Sequence, residues 1–318
     1  MTLKKILVTD LIPKSTLKLL RKHFEVDINT SGQDLSRDEI LSSFNNYDGI
    51  LSMFSNKIDK EVIDTLSNVK IIANYAVGYN NIDVNYAKEK GIAISNTPDV
   101  LSDTTAETAW ALLITVARRI VEADKYLRDG KWQKFSFDFM AGQDIHNKTL
   151  GIVGAGRIGK KFAQKSVGYN MKILYYNRKR DIDFENEYDA EYVDLNTLMA
   201  NSDFVSVHVP LTSSTHHLIN YDNMSLMKNN AILINTSRGA VIKEEALVKI
   251  LKEKKIFGAG LDVYENEPLV PIDLIKMDNV VLLPHIGSSS TETRTAMADL
   301  AARNIISVLN GGEPLTGV

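Results

Sequence analysis

The strongest constraint on the fold is an alternation that begins near the start of the chain and is repeated further on. Short β-branched runs are separated by amphipathic segments: "KILVTD", "STLKLLRKHF", "VDIN", "RDEILSSF", "GILSM" and "KEVIDTLSNV" follow one another up to Val69. Strand, helix, strand at this spacing points to a parallel sheet, because parallel strands need crossovers and the crossover helices then cover both faces. The rhythm continues through "KIIANYA" and "GIAISNT" to Pro98. The texture then changes. "TTAETAWALLITVARRIVEADKYLRDG" reads as one long helix that starts at Ser/Thr capping residues and stops at Gly130. From "TLGIVGAGRIG" a second alternating series runs through "KILYYN", "FVSVHVP", "AILINTS", "GAGLDVY" and "VVLLPHI". "STETRTAMADLAARNIISVLNG" follows as an amphipathic helix.

Two such series in 318 residues predict two domains, since a chain of this length exceeds what one core usually serves. The expected class is α/β, with two doubly wound parallel-sheet domains. A Rossmann-type nucleotide-binding domain over residues 100–286 is inserted into a flavodoxin-like substrate domain built from 1–99 and 287–318, to which the last helix returns. Composition then excludes several function classes. A net charge of −3 sets up no field for nucleic acid or an anionic membrane, and the chain has no Cys for a disulfide, a thiolate nucleophile or a thiolate metal site. The opening "MTLKKILVTDLIPK" carries an apolar run too short for a signal peptide or a membrane span, and it reads as a strand, so a cytoplasmic protein is expected.

Gly154, Gly156 and Gly159 lie between the strand run "TLGIV" and the helical run "RIGKKFAQKSV". In that context GxGxxG is a dinucleotide loop: the first glycine permits the turn, the second lets backbone approach a pyrophosphate, and the third lets helix and strand pack closely. An acid that grips the ribose is expected about 20 residues on. Here the position falls on Asn177, followed by Arg178, Lys179 and Arg180. Asparagine still hydrogen-bonds a hydroxyl but does not repel a 2′-phosphate, and Arg178 and Lys179 would attract one. NADP(H) is therefore expected as the preferred coenzyme, with NAD(H) possible through Asn177 if the basic run is only a solvated loop.

Three stretches at strand ends of the second series each carry ionisable residues: "INTSRGA" with Arg238, "LDVYENEP" with Asp262, Glu265 and Glu267, and "LLPHIGSSS" with His285. The carboxyl ends of strands in a doubly wound sheet line its ligand crevice, so these residues should converge. Together they suit hydride transfer to a keto acid. Arg238 can hold a carboxylate bidentately, His285 can donate a proton near neutral pH, and Glu267 beside it would stabilise the imidazolium. Singly, each has a structural reading: an ion-pair arginine, a core histidine, an acid on a solvated loop. His208 reads as a packed strand residue, His216 and His217 as loop residues, and no spacing of His with carboxylates suggests a metal.

These stretches, with "HVPLTSST", "INTSRGAVIKEEAL" and "PHIGSSSTETR", resemble the D-isomer-specific 2-hydroxyacid dehydrogenase family over nearly the whole chain. The resemblance implies that Arg238 binds substrate, that His285 is the acid/base and Glu267 its partner, and that Asp262 lies towards the nicotinamide. It extends the coenzyme site to Arg157, Ile158, Val209, Pro210, Thr215, Thr236, Ser237, His285 and Gly287. The stretch "ANYAVGYNNID" matches the loop whose backbone amides hold the substrate carboxylate, which points to Val77 and Gly78. Within the family, "KWQKFSFDFMAGQDIHNKTLGIVG" and the Asn-Arg ending of the second strand are most similar to glyoxylate/hydroxypyruvate reductases. Homodimerisation through residues 100–145 is implied, with Phe139 as the aromatic that would enter the neighbouring subunit's pocket.

The expected reaction is reduction of glyoxylate or hydroxypyruvate to the D-2-hydroxy acid. In "LSMFSNKID", Met53 and Phe54 are candidates for limiting substrate size, so a bulkier 2-keto acid is an alternative. 3-Phosphoglycerate is another, although no regulatory domain of the kind many phosphoglycerate dehydrogenases carry is expected here. A dinucleotide-sensing, corepressor-like protein would need the glycine loop but no proton donor.

Overall fold

The computed structural model describes residues 3–318. The chain divides into two compact units, Met1–Leu101 with Ser289–Val318, and Ser102–Ser288. In the first, the strands β1 (Lys5–Val8), β2 (Glu25–Ile28), β3 (Gly49–Ser52), β4 (Ile71–Asn74) and β5 (Ala93–Ser95) form a parallel sheet in the order β2-β1-β3-β4-β5. β3 and β4 are buried throughout, as the unbroken apolar runs "GILS" and "IIAN" require of strands covered on both faces. Ile50, Ile58, Val62, Ile63 and Ile72 are at the centre of one core. The helix Thr291–Leu309 packs on β3 and β4 within this unit, capped by the Ser290 hydroxyl, which accepts from Thr293 N–H at 3.1 Å.

The second unit holds β6 (Thr149–Val153), β7 (Lys172–Tyr176), β8 (Ala190–Tyr192), β9 (Phe204–Val207), β10 (Ile232–Asn235), β11 (Gly258–Leu261) and β12 (Val280–Leu282). They form a seven-stranded sheet in the order β12-β11-β10-β9-β6-β7-β8, and every pairing is parallel. The order reverses between β6 and β9, which is the switch point of a Rossmann sheet. Both sheets therefore have the doubly wound α/β form that the sequence pattern predicts. β8 was not visible in the sequence pattern: its three residues, "AEY", are mostly polar, and only Ala190 is buried.

The long helix expected after Pro98 is two helices, Ser102–Ala117 and Ile120–Arg128. Between them Arg119 takes a left-handed conformation, φ 52°. The cause lies downstream. Gln143 N–H donates to the Ala117 carbonyl at 2.8 Å, taking the acceptor the helix would need to continue, and a Cβ on Gly142 would lie 2.2 Å from that oxygen. Arg119 is the N-cap residue of the second helix, and its side chain forms a two-point pair with Glu122 in the first turn, at 2.8 and 2.7 Å. The first helix lies on β11, where Gly258 and Gly260 leave room for Val116 and Leu112. Among the described residues, no helix is long and apolar enough to cross a membrane.

Candidate active site

All seven strands of the larger sheet run the same way, so the segments after β6, β7, β9, β10, β11 and β12 emerge at one edge. At the switch point, Gly154 has a φ of 99°, and a Cβ there would lie 2.7 Å from Val209 and 2.9 Å from the His208 carbonyl carbon. The loop after β6 thus lies directly against the segment after β9, which a side chain would prevent. Gly159 is equally constrained, its virtual Cβ only 2.2 Å from Gly154 O, so the helix Arg157–Ser166 sits tight on the loop. Gly156 faces open space and caps that helix with no side-chain hydrogen bond. An open backbone concavity at an uncapped helix N-terminus fits a pyrophosphate.

Asn177 is partly committed to this loop: its Oδ1 accepts from Ala155 N–H at 2.8 Å. Arg180 is engaged with Glu185, through Nε at 2.7 Å and Nη2 at 2.6 Å, whereas Arg178 and Lys179 are exposed and form no ion pair among the described residues. Thr215 folds its own turn, its hydroxyl donating to Pro210 O at 2.6 Å and accepting from Thr212 N–H at 2.8 Å. The buried Thr236 hydroxyl has no hydrogen-bond partner among the described residues. Ile158 is half-buried against the core, and Arg157 is exposed.

The second half of the edge is assembled by buried polar residues. Asn235 ends β10 and accepts from both Ser237 N–H, at 3.0 Å, and Ser237 Oγ, at 2.8 Å, while donating to Arg238 O at 3.0 Å. Those bonds turn the chain so that Arg238 leaves the sheet, and its Nη1 donates to Ser237 O at 2.7 Å. A Cβ on Gly239 would lie 1.8 Å from the Tyr264 carbonyl carbon, so this turn rests on the segment after β11. Burial pulls the Arg238 guanidinium below its ordinary pKa, and the nearby Glu267 charge opposes that shift. Arginine remains charged in such surroundings.

His285 is half-buried, and its Nδ1 lies 2.7 Å from Glu267 Oε2. The other oxygen, Glu267 Oε1, accepts from Tyr264 N–H at 3.0 Å. Burial pushes the Glu267 carboxyl up, but the His285 hydrogen bond and charge, the Tyr264 N–H and Arg238 together hold it below its usual value. Asp262, at the end of β11, accepts from Ile286 N–H and Gly287 N–H, both at 2.7 Å. Burial raises its pKa against the pull of those bonds and of His285. Asp262 therefore fixes the backbone that carries His285, a role its motif did not announce. Tyr264, which the sequence reading also passed over, donates its hydroxyl to Leu283 O at 2.8 Å and ties the same two segments together. His208 lies in the segment after β9 with Nε2 2.9 Å from Ser206 Oγ, and burial pulls its pKa down to about 3.

In the smaller unit, the carbonyls of Val77 and Gly78 accept from Asn96 Nδ2 and Asn74 Nδ2, each at 2.8 Å. No hydrogen bond within the described residues occupies their N–H groups. Met53 is buried, while Phe54 is 36% exposed. Phe139 packs on Tyr126 of its own chain, ring centroids 5.2 Å apart, and the most exposed aromatic of the arm is Phe137, at 99%.

A glycine loop at the switch point, with a His–Glu pair and an arginine on strands of the same sheet, defines a dinucleotide-dependent oxidoreductase. The family follows from comparison with known proteins. Residues 110–287 match the model of the D-isomer specific 2-hydroxyacid dehydrogenase NAD binding domain. The glyoxylate reductase of Thermococcus onnurineus is 47% identical over 316 residues, 98% of this chain and 95% of the relative. A crystal structure of a glyoxylate reductase from Paecilomyes thermophila superposes with a TM-score of 0.89 at 34% identity, covering 100% of this chain and 99% of the other. An NADPH-dependent glyoxylate/hydroxypyruvate reductase from Sinorhizobium meliloti, in complex with NADP and malonate, gives 0.86 at 34% identity, covering 100% and 97%. The chain belongs to the D-isomer specific 2-hydroxyacid dehydrogenase family and is an oxidoreductase.

Proposed function

We propose that the protein reduces glyoxylate and hydroxypyruvate to the D-2-hydroxy acids, with NADPH preferred over NADH. The observation that carries the reading is the 2.7 Å contact between His285 Nδ1 and Glu267, which pairs the imidazole through one nitrogen with a carboxylate that stabilises its charged form. The coenzyme supplies a hydride to C2 when bound. His285 Nε2 donates the proton that the carbonyl oxygen needs as the hydride arrives, and the Glu267 carboxylate stabilises the imidazolium from which it comes. Arg238 binds the substrate carboxylate and polarises the carbonyl. The unengaged N–H groups of Val77 and Gly78 are assigned to the carboxylate as well. Asp262 sets the backbone position of His285, and the Gly154–Gly159 loop, with Val209, Pro210, Thr236 and Ser237, lines the coenzyme's place. The names of the relatives support the substrate class. A dinucleotide sensor would have no use for the His–Glu pair.

The coenzyme preference rests on Arg178 and Lys179. Both are exposed and form no ion pair among the described residues, and the neutral Asn177 before them offers no repulsion to a 2′-phosphate. Each charge-assisted hydrogen bond to phosphate contributes roughly 1.5–3 kcal/mol, about tenfold or more in preference. Initial rates of glyoxylate and hydroxypyruvate reduction at matched subsaturating NADPH and NADH test this. NADPH should win by at least about tenfold, and Arg178→Ala should shrink the ratio without slowing the NADH reaction. Equal rates with both coenzymes would remove Arg178 from the site. We also propose a homodimer, because Leu127, Trp132, Phe135 and Phe137 expose apolar surface along residues 127–137.

A further inference from the structure

Outside the residues given to catalysis, the fold brings together two adjacent histidines and a carboxylate. His216 and His217 follow β9 and Glu265 follows β11, and one ligand atom from each lies within 4.8 Å of the others. The two imidazole rings are nearly stacked, with centroids 3.8 Å apart and planes 31° apart, and His217 Nε2 is 2.7 Å from Glu265 Oε1. His217 is held in a left-handed conformation, φ 52°, and its N–H is anchored on Ala240 O at 2.8 Å. Glu265 is anchored too: Oε2 accepts from Glu244 N–H, and Glu265 N–H donates to Glu244 Oε2, both at 3.2 Å. Two carboxylates thus sit side by side, and neither has a lysine or arginine within ion-pair distance among the described residues.

We infer that His216, His217 and Glu265 form a binding site for a divalent transition-metal ion of the zinc class. Two imidazoles and one carboxylate are the donor set that selects zinc, nickel or copper over magnesium or calcium, and three protein ligands leave a fourth position for water. Tetrahedral zinc with bonds near 2.0–2.1 Å needs ligand atoms about 3.3 Å apart, so the 2.7 Å contact opens slightly and the 4.8 Å limit closes by side-chain rotation. The cation would supply the positive charge that Glu244 and Glu265 lack, and it would pin the segment after β9 to the segment after β11. His216 is exposed, so an ion reaches the site directly from solvent.

The test is a calorimetric titration of the full-length protein with zinc chloride, paired with thermal unfolding with and without zinc. One zinc per chain should bind, and unfolding should shift upward. His216→Ala removes an exposed side chain that forms no hydrogen bond or ion pair among the described residues, and it should weaken the binding at least tenfold and abolish the thermal shift. Glu265→Gln should weaken it as well. If the His216→Ala protein titrates as the unaltered protein does, zinc is held elsewhere, for instance at His285 and Glu267, and the assignment is wrong. Absence of binding by the unaltered protein up to millimolar zinc overturns it equally.

Discussion

His285 adopts a left-handed backbone conformation, φ 54°, that a side chain other than glycine rarely takes. The strain is held by two bonds immediately after it, from Ile286 and Gly287 N–H to Asp262. In the proposed reaction two functional demands therefore fall on different residues: His285 moves the proton, and Asp262 aims it. His285→Ala should lower kcat for glyoxylate about 10²–10⁴-fold while fluorescence titration with NADPH finds coenzyme affinity little changed. Normal turnover in that variant would end the assignment. Asp262→Asn keeps the shape but presents an amide donor to one of two N–H groups. It should lose about 2 kcal/mol in urea unfolding and reduce kcat, although its own atoms take no proton. Arg238, Glu267 and His285 were legible in the sequence because each stands in a strand-end motif. Asp262 was legible as a position but not as an anchor, since its partners are backbone N–H groups that carry no sequence signal. The cluster of His216, His217 and Glu265 was not legible at all, because Glu265 is 48 residues beyond His217 and only the order of β9, β10 and β11 brings it to the two histidines.

At the scale of elements, alternation located almost every strand, because a strand buried on both faces must be apolar throughout. It failed where tertiary contact overrides local preference. The segment from Ser102 onward reads as helix without interruption, and only the return of residues 142–143 to Ala117 breaks it. Gly142→Ala should therefore cost about 1–3 kcal/mol by overpacking, far more than a surface glycine replacement would, and urea unfolding would measure it. A loss below 0.5 kcal/mol would mean that the arm yields freely. Asp203, at the start of β9, offers a second element-level test. It accepts from Thr149 N–H at 2.9 Å and pairs with Lys228 at 2.9 Å, joining β6 to β9. Burial would raise its pKa, but these bonds hold it below the usual carboxylate value. A carboxyl whose folded pKa is depressed contributes its full stability above the unfolded value, about 3.9, and loses it as pH falls through the folded value. Asp203→Asn should thus narrow the gap in melting temperature between pH 6 and pH 3. An unchanged gap would show that the pair does not couple to folding.

At the scale of the molecule, a parallel sheet sends every strand end to one edge, so the switch point of the larger sheet carries the glycine loop on one side and the His–Glu pair on the other. That economy leaves the apolar arm unexplained by the chain itself. Phe135 is 83% and Phe137 99% exposed, yet Phe139, the aromatic the family resemblance implied, already packs on Tyr126. The sequence could not distinguish these three, because alternating phenylalanines in an irregular segment have no period to show which way each one points. If a second copy of the chain covers the arm, burying one such aromatic contributes about 1.5–3 kcal/mol, which is about ten- to a hundredfold in the dimer dissociation constant. Phe137→Asp removes that burial and adds a charge to desolvate, while touching nothing inside its own chain. Light scattering should find the unaltered protein at twice the 35.5 kDa chain mass and the variant shifted towards monomer at low micromolar concentration, with its secondary structure intact. A monomeric unaltered protein would refute the dimer. A dimer unmoved by Phe137→Asp would place the interface away from the arm.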